Sequence, residues 1–311
     1  MKLSFVVPCY RSENTIKTVV DEMITTVQTR TGYDYEVILV NDNSPDNVWR
    51  VIKELSENDA KITGISLARN FGQHSALLAG YVHCTGEYVI SLDDDGQAPL
   101  ESLYELLDKL EEGYDVVYAY YNEIKQTAFR RFGTWMAQKM GEVMLDQPKN
   151  LKASSFYIAR KFVIDEIVQY KNAYPYLLGL VLRITRNIAC IQTNHRKRLE
   201  GTSGYSFRRL LGLWVNGFTA FSVKPLELGI VMGVVCALAG FVCAVTVIIR
   251  KFMGYTTMLG WSSTISIILV IGGMILVMLG LIGEYIGRIY ISINNAPQYV
   301  IKEVTGSHER I

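Results

Sequence analysis

The chain has 311 residues, with 31 Lys plus Arg against 30 Asp plus Glu and a formal net charge of +1. That balance excludes an acidic disordered tail protein and gives no footprint of a general nucleic-acid binder. The five cysteines, Cys9, Cys84, Cys190, Cys236 and Cys243, form no Cys-x-x-Cys pair, which excludes a disulfide scaffold and reads as small buried hydrophobes in a reducing compartment.

Leu3 to Val7 is a short apolar run ended by Pro8. A secretory h-region needs about 7–15 apolar residues and a small-residue cleavage site, so this run reads as a buried strand and turn, and the N-terminal part as cytosolic. Ser12 is placed to cap a helix running to about Thr29. Tyr35 to Val40 is the next strand, ended by Asn41-Asp42-Asn43-Ser44-Pro45. A helical pattern covers Val48 to Ser56, then a strand Ile62 to Leu67. A helix from His74 to His83 leads through Gly86 to a strand Tyr88 to Leu92. Leu100 to Leu110 is helical and Asp115 to Ala119 is a strand. Strands alternate with helices, and each strand ends in polar or Gly-rich sequence. This predicts an α/β fold with a mostly parallel sheet and ligands at the carboxyl ends of the strands. No G-x-G-x-x-G follows the first strand and no G-x-x-x-x-G-K-[ST] occurs, which disfavours dinucleotide-fold oxidoreductases and P-loop enzymes.

The densest chemistry is Ser91-Leu92-Asp93-Asp94-Asp95-Gly96-Gln97, after the fourth strand. Three successive carboxylates repel unless a cation sits among them. Asp93 and Asp95, as alternate side chains, can converge on one point, and Gln97 adds a neutral oxygen. Such hard donors suit Mg²⁺ or Mn²⁺ with phosphates completing the shell. A solvated acidic turn or a helix N-cap cluster before Leu100 is the plainer alternative. The other strand ends carry Pro8-Cys9-Tyr10, Asn41-Asp42 and Arg69-Asn70-Phe71-Gly72-Gln73. An aromatic, a carboxylate, an Arg and a metal could together clasp a base, a ribose and a diphosphate.

Further along, Phe207, Leu210, Leu211, Trp214, Phe218 and Phe221 recur at helical spacing, with Arg208 and Arg209 on the other side. This predicts an amphipathic helix in a membrane interface, or a core-facing helix of the soluble part. Leu228 to Ile249 carries no charge and is closed by Arg250-Lys251. At 1.5 Å per residue, ~22 residues span about 33 Å, enough for a hydrocarbon core of about 30 Å. A second uncharged stretch, Phe252 to Gly283, is densest from Ile265 to Ile282 and ends at Glu284 and Arg288. The link near Arg250 to Gly260 suits only a hairpin turn, so both outer ends face one side. Five basic residues flank the outer ends (Arg208, Arg209, Lys224, Arg288, Lys302) against two in the link (Arg250, Lys251), which puts the ends in the cytosol.

Several of these segments are similar to one family. Phe5-Val6-Val7-Pro8-Cys9-Tyr10-Arg11-Ser12-Glu13 resembles the opening of family-2 glycosyltransferases of the GT-A fold. Val40-Asn41-Asp42-Asn43-Ser44 resembles their V-D-D-G/N-S turn, with Asn41 in place of the first Asp. Leu92 to Pro99 resembles L-D-A-D-L-Q-x-P, with Asp94 for Ala and Gly96 for Leu. Ile282-Gly283-Glu284-Tyr285-Ile286-Gly287-Arg288-Ile289-Tyr290 is similar to the end of the second span of polyprenyl-phosphate glycosyltransferases, which include bactoprenol glucosyltransferases and dolichol-phosphate mannose synthases.

The resemblance implies a sugar-nucleotide site of Pro8, Tyr10, Glu13, Asp42, Arg69, Asp93 and Asp94, with Asp42 at the nucleobase. It implies that Asp93, Asp95 and Gln97 hold Mg²⁺ or Mn²⁺ on the diphosphate, with Asp95 counted in the catalytic set. Arg130 and Thr134, with Arg131 beside them, sit at the spacing of that subgroup's acceptor-phosphate Arg and Ser. Arg198-Leu199-Glu200-Gly201-Thr202-Ser203-Gly204-Tyr205 resembles R-x-x-G-x-S-K-Y, whose Arg also meets the acceptor phosphate, with Gly204 replacing the Lys. Ser154-Ser155-Phe156-Tyr157 stands where the subgroup often has Asp before Phe-Arg. No catalytic role falls to His74, His83 or His195.

The implied partners are a UDP- or GDP-sugar donor, a polyprenyl (undecaprenyl) phosphate acceptor and the lipid bilayer, with no nucleic acid; homo-oligomers are compatible with this class. The implied reaction is inverting transfer of one sugar, at the inner (plasma) membrane, for cell-envelope glycan assembly or modification. The expected layout is a cytosolic catalytic domain over 1–205, an amphipathic helix over 206–224, spans over 225–251 and 258–284, and a cytosolic tail over 285–311. A processive polysaccharide synthase and a non-catalytic membrane scaffold are the competing readings; no Q-x-x-R-W is present.

Overall fold

The structure is a computed structural model that describes residues 1–121, 138–139, 141–142, 146–149, 151–172, 175–193, 224–253, 261–294 and 296–306. They fall into two compact units, one drawn from 1–214 with 295–311 and the other from 215–294.

The first unit is built on an eight-stranded sheet. Its strands are β1 Lys2–Cys9, β2 Asp34–Asn41, β3 Ile62–Leu67, β4 Tyr88–Ser91, β5 Val116–Tyr121, β6 Tyr157–Arg160, β7 Ile188–Thr193 and β8 Ile301–Thr305. Their order across the sheet is β7-β5-β6-β4-β1-β2-β3-β8. The central pairs β4–β1, β1–β2 and β2–β3 are parallel, as is β5–β7, whereas β6 and β8 run antiparallel to their neighbours. The sheet is thus mostly parallel, as the alternation of strands and helices predicts.

Both faces of the central strands are covered, so these strands read as near-continuous apolar runs rather than alternating ones. All six residues of β3 and all four of β4 are buried. On one face, Leu3, Phe5 and Val7 meet α1 (Ile16–Gln28) and α4 (Leu103–Glu111) through Ile16, Val20, Met23, Leu103 and Leu107. Helix α2 (Val48–Asn58) adds Val48 and Ile52 to that core. On the other face lies α3 (Gln73–Tyr81), whose residues from Ser75 to Tyr81 are all buried. It lies so close that a Cβ on Gly80 would sit 2.4 Å from Val6 Cγ1. Helices α5 (Lys161–Val168) and α6 (Leu177–Ile184) complete that layer.

Helix α1 starts later than Ser12 suggests. The Ser12 carbonyl accepts Thr15 N–H at 3.1 Å and Ile16 N–H at 3.0 Å, closing a turn ahead of the helix. The Thr15 hydroxyl turns to the Asp94 carbonyl at 2.7 Å instead of capping.

The second unit holds two long helices, α7 (Lys224–Phe252) and α8 (Trp261–Ile293). Helix α8 continues past the boundary expected at residue 284. Glu284 and Arg288 end the uncharged run in the sequence, but the helix continues to Ile293. Among the described residues, Val270–Ile293 is long and apolar enough to cross a membrane, with a mean hydropathy of 1.9, and Gly229–Val242 is a shorter apolar stretch. One of the two expected spans meets that measure. The helices expose large apolar side chains, among them Phe241, Leu276 and Val277. The expected amphipathic helix over 206–224 lies outside the described residues up to Val223.

The last element departs most from the expected tail over 285–311. Strand β8 is the eighth strand of the sheet, antiparallel to β3 in the register Gly64↔Thr305 and Ile65↔Val304. Trp49 Nε1 donates to Glu303 Oε2 at 3.0 Å, Lys53 pairs with Glu303, and Ser56 Oγ meets Thr305 Oγ1 at 3.1 Å.

Candidate active site

The carboxyl ends of β1, β2, β3 and β4 lie side by side, and a loop follows each. Every one of these loops contains a left-handed residue: Arg11 (φ 59°), Asn43 (φ 49°), Gly72 (φ 91°) and Gly96 (φ 71°). For Arg11 that conformation is strained and persists only where surrounding bonds over-determine it. Those bonds are present. They join each loop to the next and close on themselves.

The β1 and β2 loops are joined by Arg11 N–H to Ser44 Oγ at 2.7 Å, Glu13 N–H to Asp46 Oδ2 at 3.0 Å and Asn47 N–H to Glu13 Oε2 at 2.8 Å. Ser44 Oγ in turn donates to Asp46 Oδ1 at 2.6 Å. The β2 and β3 loops are joined by Asp42, whose carboxylate accepts Phe71 N–H at 2.7 Å and Gly72 N–H at 2.8 Å. Asn41 reinforces this junction, accepting Ser44 N–H and donating to Ser66 Oγ, both at 2.9 Å. The start of α3 and the β4 loop are joined by Gln73 Nε2, which donates to Asp93 Oδ1 at 2.6 Å. The β4 loop returns to the β1 loop through Asp94, whose Oδ2 accepts Tyr10 N–H at 2.8 Å. The four loops are therefore braced before any ligand arrives, the preorganisation a binding site needs.

Electrostatics follow from burial. Asp42 is 3% exposed, and burial raises its pKa above the ordinary carboxylate value although the Phe71 and Gly72 amides oppose the shift. Burial also pushes Asp94 up to about 6; the Tyr10 N–H works against this, and the charges of Asp93 and Asp95 add a little to it. Asp95 Oδ1 accepts Gln97 N–H at 3.0 Å, folding the triplet's end into a tight turn at Gly96.

The structure gathers Tyr10, Glu13, Asp42, Asp93, Asp94, Asp95 and Gln97 into this rim, although not in equal roles. Glu13 and Asp94 are struts that accept backbone N–H groups of neighbouring loops. Tyr10 is 43% exposed, with the Arg11 guanidinium 5.6 Å from its ring centroid. Arg69 lies over the Phe71 ring at 4.6 Å. Pro8 is the penultimate residue of β1, in register with Val40. Among the described residues no three His, Cys, Asp or Glu side chains gather as a self-sufficient metal centre. Arg130, Arg131, Thr134 and Arg198 lie outside the described residues. Ser154 Oγ lies 2.5 Å from the Ala119 carbonyl and 3.0 Å from that of Phe156, a donation that a carboxylate could not make. Three residues to which the sequence assigned no role of their own, Asn41, Asp46 and Gln73, hold the loops together; their polar character at strand ends was the available signal. A cavity of about 450 Å³ beside β5 and β7, lined by Tyr120, Lys149, Leu151, Lys152 and Cys190 among others, involves none of the rim residues.

Comparison with known proteins agrees with this architecture. Residues 4–168 match the model for glycosyl transferase family 2, and residues 224–289 match that of the GtrB C-terminal hairpin. An uncharacterized glycosyltransferase, YkcC of Bacillus subtilis, is 33% identical over 307 residues, covering 98% of this chain and 95% of that one. The undecaprenyl-phosphate 4-deoxy-4-formamido-L-arabinose transferase of Proteus mirabilis is 34% identical over 313 residues, covering 98% and 94%. Among solved structures, glucosyl-3-phosphoglycerate synthase from Mycobacterium tuberculosis, in complex with Mn²⁺, UDP and phosphoglyceric acid, superposes with a TM-score of 0.51 at 18% identity, over 69% of this chain and 75% of that one. Mannosyl-3-phosphoglycerate synthase from Rubrobacter xylanophilus gives 0.50 at 15% identity, over 70% and 71%. With its sheet, its braced rim of strand-end loops and family matches on both sides of the chain, the protein belongs to glycosyl transferase family 2 and is a glycosyltransferase.

Proposed function

We propose that the protein transfers one sugar from a nucleotide-sugar to a polyprenyl phosphate at a membrane surface. The observation that carries the donor half is the closed ring of bonds that presents Tyr10, Asp42 and the Asp93–Gln97 turn together. The acceptor half is supported by the Proteus mirabilis relative, which acts on undecaprenyl phosphate, and by the hairpin match over 224–289.

The donor set suits a divalent ion that takes few protein ligands. Asp93 and Asp95 are hard oxygen donors two residues apart in a tight turn, and successive carboxylates repel each other unless a cation sits among them. Asp93, Asp95 and Gln97 would hold Mg²⁺ or Mn²⁺, which when bound neutralises charge on the departing nucleoside diphosphate. The remaining work falls to the chain. Asp42 fixes the loop over the base, and Tyr10 and Arg69 offer stacking and guanidinium surfaces to the nucleotide. Arg130, Arg131, Thr134 and Arg198 would hold the lipid phosphate. That phosphate is already anionic at neutral pH, so its oxygen attacks the anomeric carbon without a strong base while the bond to the nucleotide oxygen breaks. Positioning and charge stabilisation are the demands. Direct displacement inverts the anomeric configuration.

Chain connectivity supports a two-span hairpin. Strand β8 pairs with β3, so residues on both sides of 215–294 belong to one folded unit. A chain that leaves that unit, crosses a bilayer and returns must cross an even number of times. If Val270–Ile293 crosses, α7 is the stretch available for the return. The distribution of basic residues supports a cytosolic position for that unit.

The test is transfer from radiolabelled UDP-glucose, UDP-N-acetylglucosamine and GDP-mannose to undecaprenyl phosphate in detergent. One sugar per lipid is expected. A polymer product would instead indicate a processive synthase, and no product with any donor would overturn the reading.

A further inference from the structure

The segment that returns from α8 to the sheet touches the β3 loop of the proposed donor site and the stretch that follows α5. The Val300 carbonyl accepts Ala68 N–H at 2.8 Å, immediately before Arg69 in the β3 loop. Gln298 Nε2 donates to the Tyr170 carbonyl at 2.8 Å and to the Asn172 carbonyl at 2.7 Å. Those carbonyls follow α5, and at the start of the next helix, α6, the Tyr176 ring meets the His74 ring edge-on at 5.6 Å. His74 follows Gln73, the residue bonded to Asp93. Downstream, β8 is held to α2 by Trp49, Lys53 and Ser56, so the segment is fastened at its far end.

A strand added only to complete the sheet needs its ladder bonds and nothing more. Gln298 lies ahead of β8, outside the ladder, and spends its amide on two carbonyls at the end of α5. The geometry points to Gln298 as a positioning residue for nucleotide-sugar binding: together with the Val300 carbonyl it sets the spacing between the β3 loop and the carbonyls of Tyr170 and Asn172 after α5, and so the placement of Asp42, Gln73 and Asp93. This inference rests on the nucleotide-sugar reading above. It also gives the segment that follows the long helices a direct bearing on donor affinity.

The experiment uses the full-length protein in detergent micelles, with UDP-glucose and GDP-mannose as probes in calorimetry and donor and acceptor titrations in the transfer assay. Gln298→Ala is expected to weaken donor binding about tenfold, equivalent to ~1.4 kcal/mol, and to raise donor KM alike while kcat at saturating donor stays within about twofold. Gln298→Lys keeps a donor group and is expected to recover most of the affinity. Glu303→Gln, which loosens β8 from Trp49 and Lys53, is expected to lower the melting temperature without moving donor KM. Unchanged donor KM in Gln298→Ala, or a fall in kcat alone, overturns the inference and leaves the function intact. Equal donor KM effects from Glu303→Gln and Gln298→Ala would reduce Gln298 to a general stability role and overturn it too. Wild-type protein that binds neither probe nor any other nucleotide-sugar overturns both readings.

Discussion

Asp42→Asn removes half of the junction between the β2 and β3 loops. The carboxylate accepts two backbone N–H groups, from Phe71 at 2.7 Å and Gly72 at 2.8 Å. An amide offers one oxygen, so one N–H keeps its partner and the other faces an NH₂ group. A hydrogen bond to a charged acceptor is worth about 1.5–3 kcal/mol, and a stranded buried donor costs about 1–3 kcal/mol more. Against this, burial raises the pKa of Asp42, so the native charge is itself held at a cost that a neutral side chain avoids. The net loss is therefore placed at the low end, about 1–2 kcal/mol. It falls on the loop rather than on the whole domain, because the strands beneath are buried independently of it. Hydrogen exchange of the amides between Ala68 and Gln73 should accelerate roughly five- to thirtyfold, at ~1.4 kcal/mol per decade. Nucleotide-sugar affinity, measured by calorimetry on the same protein, should fall by at least that factor. Faster exchange with unchanged affinity would refute the idea that the loop positions the donor. Unchanged exchange would refute the bonding argument itself.

Asp95→Asn should reduce transfer by about a hundredfold or more with little change in melting temperature, and chelator should abolish wild-type activity until Mg²⁺ or Mn²⁺ is restored; full activity in chelator would dismiss the metal. Arg130→Ala and Arg198→Ala should each reduce acceptor-dependent rate about ten- to a hundredfold while leaving donor affinity intact, and donor binding lost in step would reassign them. Glu36 is buried at the opposite ends of the strands. Burial alone would raise its pKa, but Lys2, Ser4 and Thr85 outweigh it and hold the carboxyl below its usual value of 4.5. Its contribution to stability is therefore complete above about pH 4.5 and disappears as the pH falls through the lowered value. Glu36→Gln should melt lower at pH 7 and show a flatter acid limb as the pH falls below about 4.5; parallel acid limbs would contradict this.

The central sheet was legible because burial on both faces leaves an unambiguous mark: Leu3 to Val7, Ile62 to Leu67 and Tyr88 to Leu92 are apolar runs with polar ends. The strand-end loops were legible as chemistry for the same reason. What each polar side chain does there was not. Glu13 and Asp94 look like ligand contacts in sequence, but their carboxylates accept the N–H groups of neighbouring loops, a pairing set by strand order rather than by local spacing. Asn41 departs from the family's usual Asp, and its amide both accepts and donates at that position. Strand β8 was missed because Ile301-Lys302-Glu303-Val304-Thr305 has weak alternation and follows a long apolar helix, where a tail is the default expectation. Its partner, β3, stands far away in sequence, and no local rule connects the two.

That distance has a bearing on how the protein is made. Trp49 and Glu303, bonded in the finished structure, are 254 residues apart in the chain. While the long helices are being synthesised, β3 has β2 on one side and nothing on the other, an open edge of the kind that recruits stray strands. The sheet can close only when nearly the whole chain has left the ribosome. Contacts of such long range form late and slowly. Insertion of the helices into a bilayer would tether the chain beside its own unfinished edge and raise the local concentration of the last strand. Chains interrupted shortly before residue 301 would then carry the aspartate triplet and the strand-end loops of the proposed donor site, and still present a sticky edge, so truncation should appear as aggregation.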